Sequence, residues 1–179
     1  MPWYLEALLS IPFGLLLGNF TEWWFHRFVL HGWGKKPGKL WSFHFHEHHR
    51  NARKHNFYDP CYRRFPLGWH AQGKEAWALL ITSLLVSPLV FFAPWLTVTL
   101  WYCALNYYLS HKKSHDHPDW ARQHLAWHYD HHMGPNPHAN WCVTKPWFDW
   151  VFGTREYYIG SEREQQDQAK RQRNTAATA

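Results

Sequence analysis

The chain has 179 residues and a formal charge of +6, with 19 Lys and Arg against 13 Asp and Glu. That length fits one domain. A basic chain without any nucleic-acid motif, and with long uncharged runs, is read as facing anionic lipid headgroups rather than nucleic acid. Cys61, Cys103 and Cys142 form no C-x-x-C pair, which excludes a zinc ribbon or a disulfide framework and fits a reducing compartment.

A first helix is expected from about Pro2 to Leu30. Up to Phe20 its only charged side chain is Glu6, and roughly 20 mainly apolar residues cross a bilayer. It lacks a basic leader region and a small-residue cleavage site, so it reads as a retained helix rather than a signal peptide. Gly14-x3-Gly18 allows close helix approach, either to the chain's own apolar hairpin, the preferred reading, or to a second copy in a homodimer. Trp23 and Trp24 suit an interfacial aromatic belt. Gly32, Gly34, Pro37 and Gly38 break the helix, and a second is expected from Leu40 to about Arg53. Asn56 to Gly73 reads as an interfacial loop or short helix on the membrane.

Ala76 to Ser110 contains no Asp, Glu, Lys, Arg or His. It reads as a membrane hairpin turning near Pro88 and Pro94, either two short crossings or one deep re-entrant loop; the soluble alternative is a buried core hairpin. Asp119 is expected to cap a helix running to His132, ended by Gly134-Pro135-Asn136-Pro137. Trp147 to Phe152 is aromatic and apolar and closes at Gly153. Residues 161–179 are expected to form a polar flexible tail behind a single domain over 1–160. The fold class is therefore all-α: integral membrane helices, about three crossings or one plus a hairpin, with a cytoplasmic helical cap. All Lys and Arg lie within Glu22–Glu75 and His111–Ala179. The excess of positive charge on cytoplasmic loops then puts both stretches in the cytoplasm and the N-terminus on the far side.

Ten of the 16 histidines fall in four sets: His26-x4-His31, His44-x3-His48-His49, His111-x3-His115 and His128-x2-His131-His132. One ion cannot use ten imidazoles, so the count points to two metals. Residues three and four apart share a helix face, which aims His128, His131 and His132 at one point, His111 and His115 at another, and pairs His44 with His48. His26 and His31 are about 140° apart on an ideal helix, so they converge only if the helix loosens there. Each ligating nitrogen must be unprotonated, so the metal should be lost as pH falls. Glu22, Glu47, Asp116 and Asp130 lie beside the sets and are candidates to fix a histidine tautomer. His46, His117 and His124 are possible outer partners, and His46 competes with His44 as a ligand. His55, His70 and His138 read as surface residues.

At these sets the chain resembles the fatty acid hydroxylase superfamily of membrane di-iron enzymes, which includes lipid hydroxylases, sterol desaturases and carotenoid hydroxylases. The matching text is HRFVLH, HFHEHH, HKKSH and HYDHH, followed by NWCVTKPWFDWVFGT, and it runs from about Thr21 to Thr154. Many relatives have H-x2-HH as the second box, where this chain has His44-x3-His48-His49. The resemblance implies two irons on the cytoplasmic side, with zinc able to replace iron in purified protein. As ligands it implies His26, His31, His44, His48, His49, His111, His115, His128, His131 and His132. It further implies O2-dependent hydroxylation of an unactivated C–H bond in a lipid, with desaturation or carotenoid ring hydroxylation as alternatives.

Phe25, Phe28, Trp41, Phe43 and Trp69 are candidates to line an apolar channel. With no nucleotide fingerprint and no iron–sulfur cysteines, electrons must come from a separate donor protein; Lys35, Lys36, Lys112 and Lys113 are candidate contacts for it. A membrane zinc hydrolase usually needs only three protein ligands, and a metal-handling protein predicts ionisable groups within the crossings. The sequence favours neither.

Overall fold

Apolar side chains set the first element. α1 (Trp3–Trp24) is a helix of 22 residues that continues without a break into a π-helical stretch, Phe25–Leu30. After a 3-10 turn at Trp33–Lys35, a second π-helical stretch, His44–His48, leads into α2 (His49–Lys54). α3 (Ala71–Val86) and α4 (Pro94–Asp116) form a hairpin around a 3-10 turn at Ser87–Phe91. The short helices α5 (Pro118–His124), α6 (Ala126–Met133) and α7 (Trp147–Val151) follow, and α8 (Glu162–Ala176) ends the chain. This computed structural model describes residues 2–176, without the side chains of Asn174 and Thr175, and no strand occurs among the described residues.

Among the described residues two segments are long and apolar enough to cross a bilayer, Trp3–Lys35 and Ala71–Phe91, and only 17% and 6% of their apolar windows are buried within the protein. A soluble core hairpin would be buried, so these surfaces face lipid and the chain is membrane-associated. α4 falls short of the same measure of apolarity. It lies against α1, where a Cβ on Gly14 would stand 2.9 Å from Thr99 Cβ and one on Gly18 2.8 Å from Cys103 Cβ. The small-residue face is thus taken up by the chain's own hairpin. Phe65 and Trp69 are exposed on the loop between α2 and α3, as an interfacial segment requires.

Three expectations need correction. The helix expected from Asp119 to His132 is broken at Leu125, whose φ of −130° and ψ of 47° leave the helical region, and Asp119 lies in the first turn of α5 rather than at its cap. The second helix starts near Ser42, later than Leu40, because Gly38 takes a φ of 75°. The polar tail is helical over Glu162–Ala176. Glu164 is buried, paired with Arg122 and bonded by the Gly160 N–H at 2.8 Å, and the Asp167 carboxylate accepts from the Tyr158 hydroxyl at 3.2 Å. Low hydrophobicity hid these few buried anchors. Residues 177–179 of the expected tail lie outside the described residues.

Candidate metal centre

All ten box histidines are buried. They divide into two groups that cut across the boxes. His26, His31, His44, His49 and His131 offer ring nitrogens all within 4.8 Å of one another, and so do His48, His111, His115 and His132. His128 joins the second group's side, its Nε2 3.1 Å from that of His115. The two groups touch where His49 stacks on His132 at 4.2 Å between ring centres.

The π turns explain the sorting. His31 N–H bonds to His26 O at 3.0 Å, and the His49 N–H likewise reaches back five residues to His44 O. A five-residue turn stacks residues five apart, so both pairs come to one place. His44 therefore partners His49 and not His48, which corrects the four-residue pairing read from sequence. The adjacent pairs His48-His49 and His131-His132 each send one ring to each group, so the fourth set does not share one focus.

Outer contacts fix which nitrogen faces inward. A carbonyl can only accept, so Nδ1 of His26, His115 and His131 carries the proton, donated to Trp141 O at 2.6 Å, Phe57 O at 2.7 Å and Ala139 O at 2.6 Å. Nδ1 of His48 donates to Asp59 Oδ2 at 2.8 Å, and Nδ1 of His111 lies 2.7 Å from Glu75 Oε2 and 3.0 Å from the Tyr62 hydroxyl. The rings of His26, His115, His131 and His48 then turn an unprotonated Nε2 to the centre. Phe57 holds its place with a φ of 78°, uncommon for a bulky residue, while its ring stacks on His115 at 4.4 Å.

Nε2 of His26 lies 2.8 Å from that of His44, and Nε2 of His31 lies 3.0 Å from that of His49. Nε2 of His48, His111 and His132 is buried without any partner. Facing lone pairs at these distances need a shared proton or a cation. Burial first, then the charges of neighbouring histidines, holds His44, His49 and His132 well below the ordinary histidine range, so these rings stay neutral and each keeps a lone pair to offer an ion. A metal ion bound about 2.1 Å from each nitrogen brings adjacent ligands to about 3 Å in octahedral geometry. The donor set fits two such ions.

The carboxylates next to the boxes in sequence do other work. Glu22 accepts from the Val143 and Thr144 N–H groups at 3.2 and 3.0 Å and from the Thr144 hydroxyl at 2.6 Å. Asp130 pairs with Arg155 at 2.7 Å, Glu47 with Lys74 at 3.2 Å and Asp116 with Lys112 at 2.9 Å. His46 bonds to Lys35 O at 3.0 Å, His124 stacks on Trp120, and His117 is exposed, so none of the three reaches the cluster.

Of the proposed channel residues, Phe43 is buried, and Phe25 meets Trp41 edge-on at 5.0 Å. Phe28 and Trp69 are exposed. Lys112 is held by Tyr62 O and Asp116, and Lys113 sits over the Trp120 ring at 4.0 Å. The aromatic stretch after α6 is a clamp on α1. Asp149 accepts from the Trp141 and Cys142 N–H groups at 2.8 and 2.9 Å, and Trp23 donates to the Thr154 hydroxyl at 3.0 Å. That clamp presents Trp141 O to His26.

The fatty acid hydroxylase family model matches residues 11–154. The chain belongs to the fatty acid hydroxylase family. It is therefore an oxidoreductase by family, with the family's histidine boxes folded into two buried clusters able to hold metal. No curated protein and no solved structure matches the chain.

Proposed function

We propose that this fatty acid hydroxylase family member is a membrane di-iron oxygenase that hydroxylates an unactivated C–H bond of a lipid, using O2 and electrons from a separate donor protein. The observation that carries the reading is the division of nine buried imidazoles into groups of five and four, each closed within 4.8 Å. Two irons held by these ten histidines, His128 included, supply O2 reduction and insertion of one oxygen atom into the substrate.

The chain's own residues do the rest. The carbonyls and carboxylates behind the rings hold each Nδ1 proton and keep the Nε2 lone pairs aimed inward, which lowers the reorganisation needed on binding. The rings of both clusters are buried, which limits the water that reaches the site, as oxygen chemistry requires if reactive species are not to be lost. The lipid-facing helices α1 and α3 feed this layer directly, so an apolar substrate partitions to the site through the bilayer. The distribution of Lys and Arg supports a topology with both basic stretches on the cytoplasmic face and the N-terminus opposite.

Metal analysis of a fresh, folded sample should find two ions per chain. Zinc is expected wherever the sample has been exposed to it, since zinc binds such sites more tightly than iron(II). Lipid profiles of cells with and without the gene should differ by a gain of one oxygen in a lipid class, absent when His49 is replaced by Ala. Profiles that differ by loss of two hydrogens would establish desaturation instead, and one ion or none per chain would defeat the two-metal reading.

A further inference from the structure

A cavity of about 320 Å3 opens beside the five-histidine group, between the segment around α2 and the chain after α6. His46, His49, Arg50 and Arg53 line it, the last three from α2, where spacings of three and four share one helix face. Phe45 and the prolines Pro135 and Pro137 complete it with apolar surface. None of the residues lining it is acidic.

His49 is the buried member, 4% exposed, and ties the cavity to the metal site: its Nε2 lies 3.0 Å from that of His31 and 3.1 Å from that of His131. Its Nδ1 is buried with no hydrogen-bond partner. Nδ1 is also unpartnered on His31, His128 and His132, but His49 alone of these lines the cavity. With Nε2 given to a metal, Nδ1 must carry the proton, and a buried N–H wants an acceptor.

The charged residues that line the opening are of one sign. Arg50 is exposed and makes no ion pair among the described residues. Arg53 donates one bond to Gly134 O at 2.8 Å, and Arg171 adds its charge nearby. Asp167, the carboxylate that acts on Arg53, is already engaged by Arg163 at 3.0 Å and by the Tyr158 hydroxyl at 3.2 Å.

We propose that this cavity binds an oxyanion, a carboxylate or a phosphate, whose oxygen accepts the His49 Nδ1–H bond while Arg50 and Arg53 hold its charge. The planar guanidinium fork can pair two N–H groups with two oxygens of either anion, and the volume admits a small organic molecule. The anion has a counterpart elsewhere in the site. Asp59 and Glu75 stand behind two rings of the four-histidine group, whereas no carboxylate is bonded to a ring of the five-histidine group among the described residues. A bound oxyanion supplies that missing negative charge, so anion and metal bind with reciprocal coupling. The inference rests on the metal reading only for the position of the His49 proton.

Titration calorimetry on the full metal-loaded chain in nanodiscs tests this with inorganic phosphate, hexanoate and 1-hexanol. One of the anions should bind, weaken as ionic strength rises, and lose at least tenfold in affinity in Arg50→Glu, while hexanol responds to neither change. A preference for hexanoate assigns the cavity to the head of an acyl substrate, and a preference for phosphate assigns it to a free or esterified phosphate. Arg50→Gln, which is milder at this exposed position, should fall between wild type and Arg50→Glu. Absence of binding by both anions, or binding unchanged in Arg50→Glu, overturns the proposal. Metal content measured on the same samples reads the two-metal proposal separately, so the failure of one is told apart from the failure of the other.

Discussion

Asp59 and Glu75 are the carboxylates that reach the rings, and both act on the four-histidine group. Burial pushes the Asp59 carboxyl up, but the hydrogen bond from His48, with the Cys61 N–H bond, outweighs it and holds the group down at about 2. Asp59 is therefore ionised at any working pH and makes His48 a more basic ligand. Asp59→Asn keeps the shape and removes the charge. It should lower affinity for the ion of that group by roughly 10–100-fold and leave the five-histidine ion in place, so metal analysis under mild chelation should read one ion rather than two. Equal loss of both ions would mean that the two groups act as one site.

Neither residue was legible as a partner from sequence, where Glu22, Glu47, Asp116 and Asp130 looked closer. Nearness along the chain misleads because a helix points neighbouring side chains to different faces, whereas Asp59 is returned to His48 by the loop through Phe57. Glu75 did leave a signal: it is the last charged residue before the uncharged run from Ala76, and an ionisable group at the head of a membrane helix suggests a function.

Two helical stretches with widened turns carry the site at the level of elements. The sequence stated the difficulty, since His26 and His31 could not converge on a regular helix, and the π turn at Phe25–Leu30 resolves it. The same device at His44–His48 was not legible, because His44-x3-His48 already satisfied the ordinary four-residue spacing. The long apolar helices, the turn between Pro88 and Pro94 and the Gly14–Gly18 contact were legible, because length and apolarity decide them. The break at Leu125 and the docking of α8 depend on contacts remote in sequence. At the Gly18 contact an added Cβ would stand 2.6 Å from Cys103 Sγ and 2.8 Å from its Cβ. Gly18→Ala must therefore push α1 from α4, at a cost of about 1–3 kcal/mol, and Gly18→Leu should cost more. Since α1 leads to His26 and α4 to His111, the separation should weaken metal retention along with stability. Thermal unfolding in detergent and metal content, read together on Gly18→Ala, check this. Unchanged values in both would mean that α4 does not pack on this face in the membrane.

The fold buries ten imidazoles in its interior, and this ties its stability to pH. In the unfolded chain each histidine titrates near 6.5. In the folded chain His44, His49, His128, His131 and His132 titrate well below that value, by burial first and by neighbouring charges second. Between these limits the unfolded chain binds protons that the folded chain refuses, so stability rises with pH in that window and falls on acidification below about 6.5. Each such proton contributes about 1.4 kcal/mol per pH unit, and several acting together would exhaust a stability of the order of 5–15 kcal/mol within one or two units. The metal-free protein should therefore unfold cooperatively in mild acid, with its midpoint below 6.5. Added zinc or iron(II) should move the midpoint lower still, because an ion that binds only the folded chain stabilises it by mass action. Tryptophan fluorescence across a pH series, with and without metal, measures both midpoints. A metal-free chain whose fluorescence stays native to pH 4, or midpoints that coincide with and without metal, would show that the imidazole core neither excludes protons nor binds ions in the folded state.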